Sequence, residues 1–97
     1  MKPVEFHPEA RSEFDQDIDS YNGRVPGLGD EFGATVQEAS RRIQANPERF
    51  PRRKYGTRRL LLRRFPYSIV YREEPAQILI VAVAHGARRP GYWHGRI

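Results

Sequence analysis

No cysteine occurs in this sequence. Disulfide staples, thiolate ligands and cysteine nucleophiles are excluded, and the simplest setting is a reducing cytosol. Long hydrophobic runs are also missing. The longest, residues 78–84, is too short to cross a bilayer. The first residues, "MKPVEFHPEA", lack the apolar stretch of a secretion signal. A cytoplasmic protein with no membrane attachment is therefore expected. His7, His85 and His94 have no metal-ligand spacing, and the acids lie on helix faces. No glycine-rich phosphate loop follows a strand, and no serine sits in a nucleophile elbow. Neither a cofactor nor a metal is expected.

Acidic residues are scarce in one half only. Residues 1–48 hold five Lys/Arg and ten Asp/Glu, whereas residues 49–97 hold twelve and two. The net charge of +5 thus divides into −5 and +10, and 15 of the 17 cations are arginine. Arginine presents a planar fork to phosphate or carboxylate, so the second half suits a polyanion or an acidic protein. The alternative is a solvated basic face.

What is present is a small globular chain. Its 97 residues are 38% hydrophobic and 11% aromatic, which fits one domain over residues 1–97. "VEFH" reads as a short strand, and Pro8 suits a first helical position. Ala10, Phe14, Ile18 and Tyr21 then form one apolar helical stripe, which Asn22-Gly23 is expected to end. Leu28, Phe32, Val36, Ala39 and Ile43 form a second stripe, with Asp30 or Gly29 as its cap and Asn46-Pro47 as its stop. Together they predict an antiparallel helical hairpin that needs a sheet to cover its apolar side. Asp15, Asp17 and Asp19 are two apart, share no helix face and read as solvated.

Residues 47–58 read as an exposed basic loop, with Phe50 available to tuck beneath it. "RLLLRRF" (59–65), "PYSIVYRE" (66–73) and "QILIVAVAH" (77–85) predict three strands in an antiparallel meander. The last is apolar on both faces and so central. A basic and aromatic set follows from this order. Arg59, Arg63 and Arg64 fall on the first meander strand. His85, Arg88, Arg89, Tyr92, Trp93, His94 and Arg96 fall at or after the end of the central strand. Guanidiniums bind phosphates, rings stack on bases and histidine exchanges a proton near neutral pH. The rings are expected to fix the tail while the arginines face outward. The structural alternative makes His85 a hydrogen-bonded strand end and Trp93 a packing anchor.

"FHPEA", "PGLGDEF", "I-x-x-N-P", "LRRFPYSIVY" and "AVAHGARRPGYW", taken in order, resemble the RelE/ParE toxins of bacterial type II toxin–antitoxin systems. The resemblance spans nearly the whole chain. It implies an α+β fold of order β-α-α-β-β-β, with the helical hairpin packed on a small, mainly antiparallel twisted sheet. It also implies a growth-arresting toxin, neutralised by a cognate antitoxin with an acidic helical C-terminal segment. RelE-like members cleave mRNA on the ribosome without metal; ParE-like members poison DNA gyrase. The arginine of the RelE-like "Y-R-L-V-Y" pattern is replaced here by Ser68. The next family arginine falls near Ala87, beside Arg88, and the C-terminal tyrosine falls at Trp93 or Tyr92. These departures favour the ParE-like branch. In the interferase alternative, Arg59 or Arg63 holds the scissile phosphate, His85 is the acid or base, Tyr92 or Trp93 stacks on a base, and Arg88 is counted with them in the catalytic set. A third alternative is a degenerate toxin that retains only antitoxin binding.

Overall fold

The computed structural model describes residues 1–97. Its elements are β1 (Val4–Phe6), α1 (Pro8–Arg24), α2 (Leu28–Ala45), β2 (Arg58–Leu61), β3 (Tyr67–Glu73) and β4 (Ile78–His85). Strands lie in the order β1-β4-β3-β2. The last three form the expected antiparallel meander, and β1 adds to β4 in parallel. No helix is long and apolar enough to cross a membrane.

Local chemistry explains the helical hairpin. His7 caps α1, its Nδ1 accepting the Glu9 N–H at 3.1 Å, and Pro8 occupies the first turn. Asn22-Gly23 does not end α1; the helix continues to Arg24, with the Val25 N–H still donating to the Tyr21 carbonyl. The reason lies in the Asn22 side chain. Its Oδ1 accepts from the N–H groups of Gly29 and Asp30, at 2.7 and 3.2 Å. Asn22 thus caps the second helix from within the first. Neither Gly29 nor Asp30 is the cap of α2, because Gly27, at φ 85°, takes that position. Gly29 serves another purpose: a Cβ there would run into the Ile18 carbonyl oxygen. The helices approach at this glycine more closely than any side chain permits.

Both apolar stripes pack on one face of the sheet. Phe14, Phe32, Phe65 and Tyr67 form the centre of the core, with Phe32 and Tyr67 ring centroids 4.6 Å apart. Tyr71 is fully buried, and its hydroxyl donates to the Pro47 carbonyl at 2.6 Å. Strand β2 is shorter than the sequence pattern suggested, since pairing ends at Leu61 and the chain turns through residues 62–66.

The other face of the sheet carries a smaller cluster of Val70, Val81, Ala82 and Trp93. Register shifts between Val70 and Tyr71: Val70 pairs with Ala82 and Tyr71 with Ile80, leaving Val81 as the extra residue of a bulge. The C-terminal tail crosses this face. Trp93 packs on the sheet, and Arg96 reaches over to α1. One Arg96 amino group donates to the Val81 carbonyl at 3.0 Å. Its Nε and other amino group contact Glu9 and Glu13 at 3.0 and 2.5 Å. The expectation that the tail arginines all face outward fails here, because the Arg96 side chain is only 7% exposed.

Candidate functional site

A cleft of about 360 Å³ opens on the side of the sheet away from the helices. Its floor is built from three adjacent strands: Arg59 on β2, Ser68 and Val70 on β3, and Ala84 and His85 at the end of β4. Strand alternation sends Arg59 and Ser68 to this face while Leu60 and Ile69 enter the core.

The basic loop forms one wall through Arg53, Lys54 and Tyr55. Tyr55 has φ 63°, a left-handed conformation that costs a non-glycine residue roughly 1–2 kcal/mol. Ring contacts offset that cost. Tyr55 stacks on His94 with centroids 3.7 Å apart, and meets Trp93 edge-on at 6.1 Å. Loop and tail thus hold each other in place.

The opposite wall is residues 88–93. Gly91, at φ 75°, turns the chain so that Tyr92 and Trp93 fold back. The Arg88 guanidinium lies 3.8 Å from the centre of the Tyr92 ring, a close cation–π contact. Burial raises the Tyr92 hydroxyl above its ordinary pKa, as does Glu13, against the opposing pull of Arg88 and Arg96. Tyr92 is therefore a neutral hydroxyl at physiological pH.

Of the sequence-predicted residues, Arg59, His85, Arg88 and Tyr92 line this one cleft, together with Arg89 and Trp93. Arg63 does not. It lines a separate groove between α2 and β2. Arg64 faces the helices and pairs with Glu31 at 2.8 Å. The cleft lining contains five cationic side chains and no carboxylate. Its electrostatics favour an anionic group, and its volume suits a nucleotide-sized or peptide-sized ligand.

His85 is held from two sides. Its Nδ1 accepts the Ala87 N–H at 2.9 Å, which leaves Nε2 as the free nitrogen. Its ring meets Tyr67 edge-on at 5.0 Å. Behind it lies Asp17, which was expected to be solvated. Burial raises the Asp17 carboxyl above its ordinary pKa; the Tyr67 hydroxyl, His85 and Arg88 act the other way. Tyr67 is itself pushed up by burial and by Asp17. The sequence carried one sign of this: Asp17 follows Phe14 by three and precedes Tyr21 by four, so it borders the buried stripe. Tyr55 was also missed, because it lies 38 and 39 residues before Trp93 and His94 and no local pattern announces the contact. No group of His, Cys, Asp or Glu is arranged to hold a metal ion.

Residues 4–90 match the family model described as ParE toxin of type II toxin-antitoxin system, parDE. Among solved structures, a chain of the chromosomal ParDE TA system from P. aeruginosa superposes with a TM-score of 0.77. It is 21% identical, over 88% of this chain and 96% of that one. None of the curated proteins matches the sequence.

Proposed function

Because the chain belongs to the ParE toxins of type II toxin–antitoxin systems, we propose that it arrests growth by inhibiting DNA gyrase, and that a cognate antitoxin neutralises it. The cleft is its target-facing surface. The observation that carries this reading is the make-up of the lining: five cations and three aromatic rings beside His85, with no carboxylate. General acid–base cleavage is helped most by two positioned groups of matched pKa, and Tyr92 is shifted away from that role. Ser68, on the floor, stands where the RelE-like pattern has arginine. A surface of this kind suits binding better than bond cleavage.

The interferase reading keeps one observation in its favour, since guanidiniums and a stacking ring share the cleft. In it Arg59 and Arg88 hold the phosphate, His85 moves the proton and Tyr92 stacks on a base. Arg63 lies outside and takes no part.

Induction of the chain in bacteria without its antitoxin tests both. Growth arrest with double-strand DNA breaks, intact mRNA and loss of supercoiling by purified gyrase supports the gyrase reading. Codon-positioned mRNA cuts with intact DNA overturn it in favour of the interferase. Full growth at good expression leaves the degenerate toxin. The variant Arg59→Ala/Arg88→Ala is expected to fold and to lose toxicity.

A further inference from the structure

The three rings of the cleft are already engaged within the chain. Tyr92 lies between two guanidiniums, with Arg88 3.8 Å from its centre and Arg96 at 5.3 Å. Tyr55 stacks on His94, and Trp93 is buried against the sheet. An unpaired base needs an open ring face to lie on, so the cleft serves a single strand poorly.

Its cations are in the opposite condition. Arg53 and Lys54 on one wall, Arg59 on the floor, and Arg88 and Arg89 on the other wall form no ion pair within the chain. No carboxylate shares the lining with them. His85 adds a neutral donor: because its Nδ1 accepts the Ala87 N–H, the ring proton sits on Nε2. Arg53 and Arg59 also border the groove between α2 and β2, where Arg42 and Arg63 are likewise unpaired. The positive surface thus continues past the edge of the sheet. Like charges gathered this way repel one another until an anion lies among them. A row of phosphates neutralises several at once, which a lone carboxylate does not.

We propose that the cleft binds the phosphodiester backbone of duplex DNA and reads neither base nor sequence. One sugar–phosphate strand crosses the floor. Its phosphates meet the guanidiniums of both walls and the His85 Nε2–H, and its bases stay paired on the far side. The choice of DNA over an RNA duplex follows from the lining, which holds no carboxylate to accept a ribose 2′-hydroxyl. That this duplex is the segment held by gyrase rests on the function proposed above; the DNA contact itself does not. In that setting the toxin touches the enzyme and its substrate together.

The test is fluorescence anisotropy of the full chain with a short labelled DNA duplex over a range of salt. Binding is expected with a Kd on the order of 10⁻⁵ M at physiological salt, equal for two unrelated sequences. Each neutralised phosphate contributes roughly −0.9 to the slope of log K against log salt, so five cations predict about −4.5. Arg59→Ala/Arg88→Ala removes two contacts and is expected to bring the slope to about −2.7. Arg11→Ala/Arg41→Ala removes the same charge from exposed helix surfaces and is expected to leave the slope unchanged. If circular dichroism shows the first pair misfolded, Arg53→Ala/Arg89→Ala takes its place. Equal slopes for cleft and control variants, tighter binding of single-stranded RNA or of an RNA duplex, or no binding at low salt each overturn the proposal. Supercoiling by purified gyrase reports the toxin reading separately. DNA binding without gyrase inhibition sinks that reading and leaves this one; inhibition without DNA binding does the reverse.

Discussion

Replacing Arg96 by alanine is expected to cost this domain about 3 kcal/mol. The figure follows from what the guanidinium touches. It is 7% exposed and binds the Val81 carbonyl, Glu9 and Glu13. Breaking a buried ion pair by removing one partner costs roughly 3–5 kcal/mol, because the other charge is left uncompensated. Glu9 is 67% exposed and regains water, so its share is small. Glu13 is 28% exposed and already carries one buried oxygen without a partner, and that places the loss near the lower end of the range. For a domain of this size, about 3 kcal/mol lowers the Tm by roughly 12–24 °C. Urea unfolding followed by tryptophan fluorescence suits the measurement, since the single Trp, Trp93, sits three residues away on the sheet. Arg96→Lys is expected to recover only part of the loss, because one ammonium cannot serve three acceptors in a fixed fork. Glu9→Gln is expected to cost less than about 1 kcal/mol. An Arg96→Ala loss no larger than that of Glu9→Gln would refute the latch.

Four further outcomes are expected. Gly29→Ala forces the two helices apart at the Ile18 carbonyl and is expected to destabilise by about 1–3 kcal/mol in thermal unfolding. Tyr55→Gly should be more stable than Tyr55→Ala, since both lose the stack on His94 but only glycine relieves φ 63°; calorimetry ranks them. Tyr71 is pushed up to about 12 by burial, with Arg58 opposing. Its folded value exceeds the unfolded one near 10, so the native state holds the proton longer. Stability then falls by roughly 1.4 kcal/mol per pH unit from the unfolded pKa up to the folded one, and absorbance at alkaline pH should show Tyr71 ionising only on unfolding. Asp17 has the same sign at lower pH: with its carboxyl raised by burial, stability falls as pH rises through its titration. Asp17→Asn should flatten that part of the urea-midpoint profile, and an unchanged profile would remove Asp17 from the account.

The order of elements was legible because each carries its own period. The stripe of Phe14, Ile18 and Tyr21 repeats at helical spacing, and the alternation of Tyr67, Ile69 and Tyr71 repeats at strand spacing. The grouping of Arg59, His85, Arg88 and Tyr92 followed from the meander, since neighbouring strands must bring their ends together. What stayed hidden depends on contacts that no local pattern encodes. Arg63 looked equivalent to Arg59 while β2 was thought to continue; once pairing stops at Leu61, the chain turns and Arg63 leaves the cleft. Arg96 looked like another surface cation, because its partners lie 83 and 87 residues away in α1. Asn22 looked like a stop signal because asparagine ends helices often, yet its side chain begins the next one.

The bulge at Val81 decides which inventory of side chains the cleft receives. Every residue of β4 after it is half a period out of phase with those before it. A regular strand of the same length, without the bulge, would exchange the two faces from Ala82 onward: Val83 would leave the core, and the pairing of Tyr67 with His85 would slip. A single supernumerary residue in the interior strand thus sets the parity of the molecule's business end.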